Sequence, residues 1–290
     1  MAAYDLPATI DYVRRHTGHE RVGLVAHSQG GAASLAALAS GALSPDHLSV
    51  LVTLAPAVYL KYMSSAPLQI LADLHADEVF RQLGQKEFLP SRMDTSDIFG
   101  EFCAVAAERC VSILTAICGW VFDIVPPSRF PAFSLTRASR SLVHSSRFNP
   151  QNVDTSRLPI YLAYAPSGTS VKNMAHWAQR VRAAETEGFS FRRYSPSDGG
   201  VEGEEYDLTK IPKVVPIGII YGVEDKLADP VDIRRLISEI GDAVVFDKGL
   251  LGYEHIDFTW SKHAARDVYP DVMRLLETNT ADRREDTGVH

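Results

Sequence analysis

The chain has 290 residues, of which 46% are apolar, with a formal net charge of -7 and a pI near 5.8. This length and apolar content suffice for a large buried core, and the acidic balance argues against a nucleic-acid partner. Three cysteines (Cys103, Cys110 and Cys118) are too few for a disulfide framework, and we expect neither a signal peptide nor a transmembrane helix in this soluble sequence.

The first sixty residues alternate between helical and extended patterns. Asp5 is a candidate cap for the first helix, Gly18 and Gly41 are candidate helix stops, and Pro56 ends the second extended run. The pattern predicts, in order, a helix from Asp5 to Gly18, a strand over 22–26, a helix over 32–39 and a strand over 50–54. This alternation is typical of a doubly wound α/β sheet.

The segment LVAHSQGG, residues 24–31, joins the first predicted strand to the second helix. A strand, a sharp turn bearing serine and a helix form the nucleophile elbow of an α/β-hydrolase. Because the turn is tight, the residues two before and two after Ser28 must be small, and they are Ala26 and Gly30. The usual pattern has glycine where Ala26 stands, so an ordinary glycine-rich turn is the alternative interpretation.

The alternation breaks down between about Leu60 and Lys210. Met174, Trp177 and Val181 recur at helical spacing after Ser170, a candidate cap, and predict an amphipathic helix whose apolar stripe we interpret mainly as core packing. Residues 199–206 form an acidic, glycine-rich loop.

Regular alternation returns near the C terminus. It predicts a strand over 214–221, a helix over 231–240, a short strand over 244–246 and a last helix over 264–276. Residues 278–290 are polar, and we expect them to fray.

Ser28 needs a base and an acid, because serine is a weak nucleophile without an imidazole that a carboxylate orients. In this fold the chain order is serine, acid, histidine. Asp225 lies in the turn after one predicted strand, and His255 lies in the loop after the next. Ser28, Asp225 and His255 are therefore the predicted triad.

Other residues could take two of these places. His263 is the nearest alternative to His255, but it stands where the last helix begins. Asp229 precedes Pro230 and is better placed to cap the next helix, and Asp257 is too close to His255 in sequence to reach the far ring nitrogen easily.

The chain resembles the acid lipases, the family of gastric and lysosomal lipases. The resemblance is carried by the stretches MAAYDLPATIDYV, LVAHSQGG, KEFLPS, YAPSGTSVKNMAHWAQRV, YGVEDKLADP and YEHIDFTW. It implies that Ser28 is the nucleophile, Asp225 the orienting acid and His255 the base, and that the backbone N–H of Gln29 is one oxyanion donor. It implies no cofactor and no metal.

The resemblance also implies the architecture: an α/β-hydrolase fold with a truncated, mostly parallel sheet and an inserted, largely helical cap. The expected division is hydrolase core over 1–58, cap over 59–209 and hydrolase core over 210–290. The implied substrates are triacylglycerols or sterol esters at a lipid–water interface. The resembling family is secreted or lysosomal.

Two departures from the family pattern stand out. The family's earlier strands have no counterpart here, which predicts an unpaired edge on the strand at 22–26. The family's second oxyanion loop has no counterpart either, which predicts the loss of about 3 kcal/mol of oxyanion stabilisation. Residues 120–147 have the composition of a loop, and we interpret them as a retained intron or a lineage-specific insertion in an incomplete gene model.

Three functions remain open at this point. The first is a serine lipase or esterase. The second is a catalytically impaired hydrolase remnant that binds lipid or a partner. The third is a short-chain carboxylesterase with the same triad.

Overall fold

The structure is a computed structural model, and it describes residues 1–64, 69, 84, 86–88, 152, 168–196 and 203–281. The chain divides into two compact units. The first unit comprises Met1–Met63, Phe189–Arg193 and Glu204–His290, and the second comprises Ser64–Gly188 and Tyr194–Gly203.

The strands and helices are numbered in chain order within the described ranges. The strands are β1 (Val22–His27), β2 (Leu48–Leu54), β3 (Glu87–Phe88), β4 (Thr169–Ser170), β5 (Ile217–Gly222) and β6 (Val244–Leu250). The helices are α1 (Asp5–Thr17), α2 (Gln29–Ala39), α3 (Val171–Glu187), α4 (Pro230–Ile240), α5 (Asp257–Trp260), α6 (Ala264–Asp267) and α7 (Tyr269–Ala281). Within the part of the chain that the structure describes, no helix is long and apolar enough to cross a membrane.

The first unit is built on a parallel sheet with the strand order β1-β2-β5-β6. β2 is buried at every position, as expected of an inner strand covered on both faces. Within the described ranges β1 pairs with β2 alone, so it lies at one end of this order. Because the strands are parallel, the segments that follow β1, β5 and β6 all leave from the same edge of the sheet.

Helices cover both faces of this sheet. A Cβ on Gly23 of β1 would lie 2.5 Å from Leu276 Cδ2, so α7 packs directly on the strand where it has no side chain. Ala26 points to the opposite face, since side chains alternate along a strand, and its Cβ faces Gly30 of α2. α2 and α7 therefore lie on opposite sides of the sheet, which is the layered α/β architecture expected from the sequence.

Two predicted boundaries near the termini need correction. Asp5 is the first residue of α1 and does not cap it, because Tyr4 holds the cap position and makes no side-chain cap bond. Gly18 ends α1 as predicted, with a φ of 72°. The single helix expected over 264–276 is two helices, α6 and α7, which break at Val268, because Pro270 has no N–H to continue the hydrogen-bond ladder of α6 and fits only the first turn of α7.

Two strands of the second half also differ in length. β5 begins at Ile217, later than the predicted Val214, because Val215 is held in a turn by a hydrogen bond to the carbonyl oxygen of Pro212. β6 runs to Leu250, beyond the predicted Phe246, because an end strand with one face open to water accepts the polar residues Asp247 and Lys248.

Three short segments of the expected cap pack within the first compact unit, while the expected division into core and cap stays a prediction. Residues 59–63, 189–193 and 204–209, which the sequence-based division places in the cap, belong to the first unit. The reason is packing, since Phe191 is buried in the hydrophobic core and its ring lies 4.9 Å from that of Tyr206. The role of the second unit as a cap stays a prediction.

In the second unit, α3 begins where the sequence predicted. The hydroxyl of Ser170 accepts a hydrogen bond from the amide of Asn173, which makes Ser170 the N-cap. Val181 is buried, whereas Met174 and Trp177 are half-buried, and the Arg180 guanidinium lies 4.6 Å from the Trp177 ring centre. The cysteines, the segment 120–147 and the tail beyond 281 lie outside the described residues.

Candidate active site

Ser28 occupies a sharp turn between β1 and α2. Its φ of 54° and ψ of -119° lie outside the favoured regions for a residue with a side chain, a strain of about 1–3 kcal/mol that is typical of functional sites. The surrounding backbone holds it there: the Ser28 amide donates to the carbonyl oxygen of Leu54 over 2.9 Å, and the Ser28 carbonyl accepts from the amide of Ala32 over 3.2 Å. This is the strand–turn–helix geometry that the sequence predicted for a nucleophile elbow.

The turn tolerates only small residues around Ser28, although the tightest position differs from the expected one. A Cβ on Gly30 would lie 3.7 Å from the Cβ of Ala26, an ordinary contact, so this part of the turn has room for alanine at 26. The crowded position is Gly31, where a Cβ would lie 2.9 Å from the Cβ of Pro56. Packing of α2 against the end of β2 therefore requires the second glycine more strictly than the first.

Asp225 lies in the loop after β5, with a side chain that is 1% exposed. Its Oδ1 accepts hydrogen bonds from the amides of Leu227 (2.8 Å) and Ala228 (2.9 Å), and its Oδ2 lies 2.9 Å from His255 Nδ1. Burial alone would raise the pKa of Asp225, but the facing His255 imidazole and the two amide donors outweigh it, and the net pKa of Asp225 is lowered. The carboxylate is therefore held in its charged form.

His255 connects the other two residues. It lies between β6 and α5, is 6% exposed, and places Nε2 2.6 Å from Ser28 Oγ. Because a charged carboxylate can only accept, His255 Nδ1 carries the proton and donates to Asp225, which leaves the Nε2 lone pair to accept from the Ser28 hydroxyl. The structure thus brings all three predicted residues together in one hydrogen-bonded chain.

The alternatives to these residues have other contacts. Asp229 caps α4 by accepting from the amide of Val231, as the sequence predicted. Asp257 directs Oδ2 to the amide of Glu254, and His263 stands at the cap position of α6.

Gln29 is the first residue of α2, directly after Ser28. Its backbone amide therefore lies at the N-terminal end of an 11-residue helix, where the aligned peptide dipoles favour negative charge. Its oxyanion role stays a prediction. In the described ranges, no group of three or more His, Cys, Asp or Glu residues is arranged to hold a metal ion.

Sequence reasoning did not identify two neighbours of the site. His27 lies beside His255, and burial, followed by the charge that His255 can carry, lowers the pKa of His27 to about 4. Burial raises the pKa of Glu254 to about 7, opposed by Lys226 and reinforced by the nearby carboxylates. Both residues lie in stretches quoted above, LVAHSQGG and YEHIDFTW, but no local pattern predicts their burial, because burial depends on chain segments far away in sequence.

Gly222 should be essential for the spacing of the acid and base loops. A Cβ at this position would lie 2.2 Å from the carbonyl oxygen of Tyr253 and 2.8 Å from its carbonyl carbon, so the backbone itself would have to move. We expect Gly222→Ala to cost about 1–3 kcal/mol, which lowers the Tm by about 3–10 °C. Thermal unfolding by circular dichroism measures this, with Gly30→Ala as the matched control, since a Cβ there meets only an ordinary contact; equal Tm values for the two variants would contradict the packing argument.

Known proteins are similar in sequence to almost the whole of this chain. A family model described as alpha/beta hydrolase fold matches residues 1–262. The chain is 32% identical to lipase member K of Homo sapiens over 96% of the chain. It is 29% identical to two proteins of Rattus norvegicus, the gastric triacylglycerol lipase over 95% of the chain and the lysosomal acid lipase/cholesteryl ester hydrolase over 96% of the chain. It spans 63% of the length of each of these relatives. The matches confirm the predicted fold class and the resemblance to gastric and lysosomal lipases.

Proposed function

Because the chain belongs to the alpha/beta hydrolase fold family, we propose that it is a serine hydrolase that cleaves the carboxylic ester bonds of neutral lipids through an acyl-enzyme. The observation that carries the proposal is the hydrogen-bonded chain from Asp225 through His255 to Ser28, with steps of 2.9 Å and 2.6 Å. This arrangement turns a weak hydroxyl into a nucleophile.

In the first half-reaction, Ser28 Oγ attacks the ester carbonyl carbon while its proton passes to His255 Nε2. The carbonyl oxygen becomes an oxyanion, which the backbone N–H of Gln29 stabilises. His255 then donates the same proton to the alkoxide oxygen of the leaving group as the carbon–oxygen bond breaks. The alcohol departs, and the acyl group remains bonded to Ser28.

Water completes the cycle. His255 Nε2 takes a proton from a water molecule as the water oxygen attacks the acyl carbonyl carbon. Collapse of the second tetrahedral intermediate breaks the bond to Ser28, and His255 returns the proton to Oγ. A fatty acid leaves, and the starting state of the triad is restored.

Asp225 supports the imidazolium that forms in each step. It is buried, and its Oδ1 is held by two backbone donors, so Oδ2 is fixed towards His255 Nδ1. Since its pKa is lowered, Asp225 stays ionised in weak acid. Loss of activity on the acid side should therefore not arise from protonation of Asp225.

The proposed substrates are triacylglycerols or sterol esters. The support is the likeness to relatives that are named for triacylglycerol and cholesteryl ester hydrolysis. The role of the second unit as the cap, the site of action at a lipid–water interface and a secreted or lysosomal location belong to the same proposal. An impaired remnant is not favoured, because all three side chains are present and in hydrogen-bonding order.

A fluorophosphonate probe tests the proposal on the whole chain. The probe phosphorus forms a bond with the serine oxygen and fluoride leaves, which requires an activated hydroxyl but no complete turnover. We expect one label per folded chain, located at Ser28 by peptide mass mapping, and hydrolysis of emulsified tributyrin.

Two outcomes would overturn the assignment. A folded sample that takes no label would favour the remnant that binds lipid without cleaving it. A labelled sample that hydrolyses a soluble acetate ester but leaves emulsified tributyrin intact would favour a short-chain carboxylesterase.

A further inference from the structure

His27 makes a contact that links the nucleophile strand to the base. It is the last residue of β1, and its Nε2 lies 2.8 Å from the backbone carbonyl oxygen of His255. Because a carbonyl oxygen can only accept, Nε2 carries a proton and donates. The ring centre lies 5.0 Å from that of His255 and 6.2 Å from that of Phe258, so apolar and aromatic contacts hold the donor in place.

The position of His255 in the sheet explains why such a link matters. His255 follows β6, whereas Ser28 follows β1, and these strands lie at opposite ends of the four-strand order. The loop that carries His255 must therefore cross the carboxyl edge of the sheet to reach Ser28. It includes Leu251, which is exposed, and Gly252, which has a φ of 74°.

Other hydrogen bonds fix this loop to its own surroundings. The Gly252 amide donates to Glu224 Oε2, and the Tyr253 hydroxyl donates to Asp267 Oδ2. Glu224 follows β5, and Asp267 is the last residue of α6. The bond from His27 instead joins the backbone of the base to the strand that ends at the nucleophile.

We propose that His27 is a positioning residue for the hydrolysis proposed above, and that its bond to the His255 carbonyl keeps His255 Nε2 at reacting distance from Ser28 Oγ. The inference rests on the proposed function of this site. Displacement of a reacting group by about 1 Å can cost about 100-fold in rate, so one tether at the base has a measurable effect.

The neutral state of His27 suits this role. Burial, and then the neighbouring His255, lower the pKa of His27 to about 4. Above that pH the His27 ring carries no charge, so it does not oppose the positive charge that His255 gains during each proton transfer.

The test compares two amides that differ in reach. In His27→Asn the amide nitrogen stops near the position of Nδ1, whereas in His27→Gln it extends to the position of Nε2 and can donate to the same carbonyl. We expect His27→Asn to lower kcat for tributyrin about 10- to 100-fold with KM within about twofold, and His27→Gln to recover most of the loss. The acid limb of the pH–rate profile should stay in place in both variants.

His47→Asn is the matched control, because His47 is half-buried beside Asp11 and directly precedes β2 at the amino-terminal edge of the sheet, whereas Ser28 follows β1 at the carboxyl edge. If His27→Asn does not fold, His27→Leu takes its place, since it keeps apolar contacts and has no donor. Parental kcat in the folded variant that lacks the donor would overturn the inference. Disappearance of the acid limb would do so too, since that limb would then report the titration of His27.

The probe separates this inference from the proposed function. If the parental chain is not labelled by the fluorophosphonate, the proposed function fails. If the parental chain is labelled and the folded variant without the donor is labelled at the same second-order rate, only the role of His27 fails.

Discussion

Replacing Ser28 with alanine should abolish ester hydrolysis without unfolding the protein. The change removes the attacking oxygen, and His255 Nε2 is left with no hydroxyl proton to accept. Loss of a serine nucleophile from such a triad lowers kcat on the order of 10⁶-fold. The Ser28 amide keeps its hydrogen bond to the Leu54 carbonyl oxygen, so the elbow should persist with Tm within a few degrees of the parental value.

Titration of fatty acid released from emulsified tributyrin, together with thermal unfolding, measures both effects. Ser44→Ala is the matched control, because Ser44 caps the short turn before β2 at the amino-terminal edge of the sheet, away from the elbow. It should keep parental activity. Retention of more than about one hundredth of the activity in Ser28→Ala would exclude Ser28 as the nucleophile, given the size of the expected loss.

Replacing Asp225 with asparagine should lower kcat about 10⁴-fold through the wrong histidine tautomer. The amides of Leu227 and Ala228 both donate to Oδ1, so the new side chain must place its oxygen there and its NH₂ group where Oδ2 stood. An NH₂ group only donates, and it therefore forces His255 Nδ1 to accept. The ring proton moves to Nε2, where it points at Ser28 Oγ and prevents proton transfer from the hydroxyl.

Asp229→Asn is the control for this variant. It makes the same chemical change four residues away, at an N-cap where asparagine serves as well as aspartate, so activity should be unchanged. The decisive measurement is kcat at saturating substrate with KM compared in parallel, since substrate contacts are not altered. A parental rate in Asp225→Asn would show that another group orients His255.

The residues that meet at the candidate site could be predicted from the sequence. The order of Ser28, Asp225 and His255 along the chain, each after a predicted strand, identified three residues that the structure joins by hydrogen bonds. Parallel strands have their carboxyl ends at one edge, so residues distant in sequence are brought to the same place. The correct assignment of Asp229 as a helix cap followed from the same local pattern.

Features that depend on tertiary packing could not be predicted from the sequence. Gly31 and Gly222 are strictly required because Pro56 packs against the first and the Tyr253 backbone packs against the second. Both contacts come from other segments of the chain. The extension of β6 through Asp247 and Lys248 depends on its place at the end of the strand order.

By itself, the sequence determined the order of the main strands and helices of the first unit and the residue types at the site, since periodicity, capping and turn chemistry act over a few neighbouring residues. Only the tertiary structure decided which groups touch. The bond from His27 to the His255 carbonyl joins residues 228 positions apart, and its existence depends on how the loop after β6 crosses the sheet. Distances and pKa values at the site follow from that packing, because burial and facing charges come from segments that no local pattern describes.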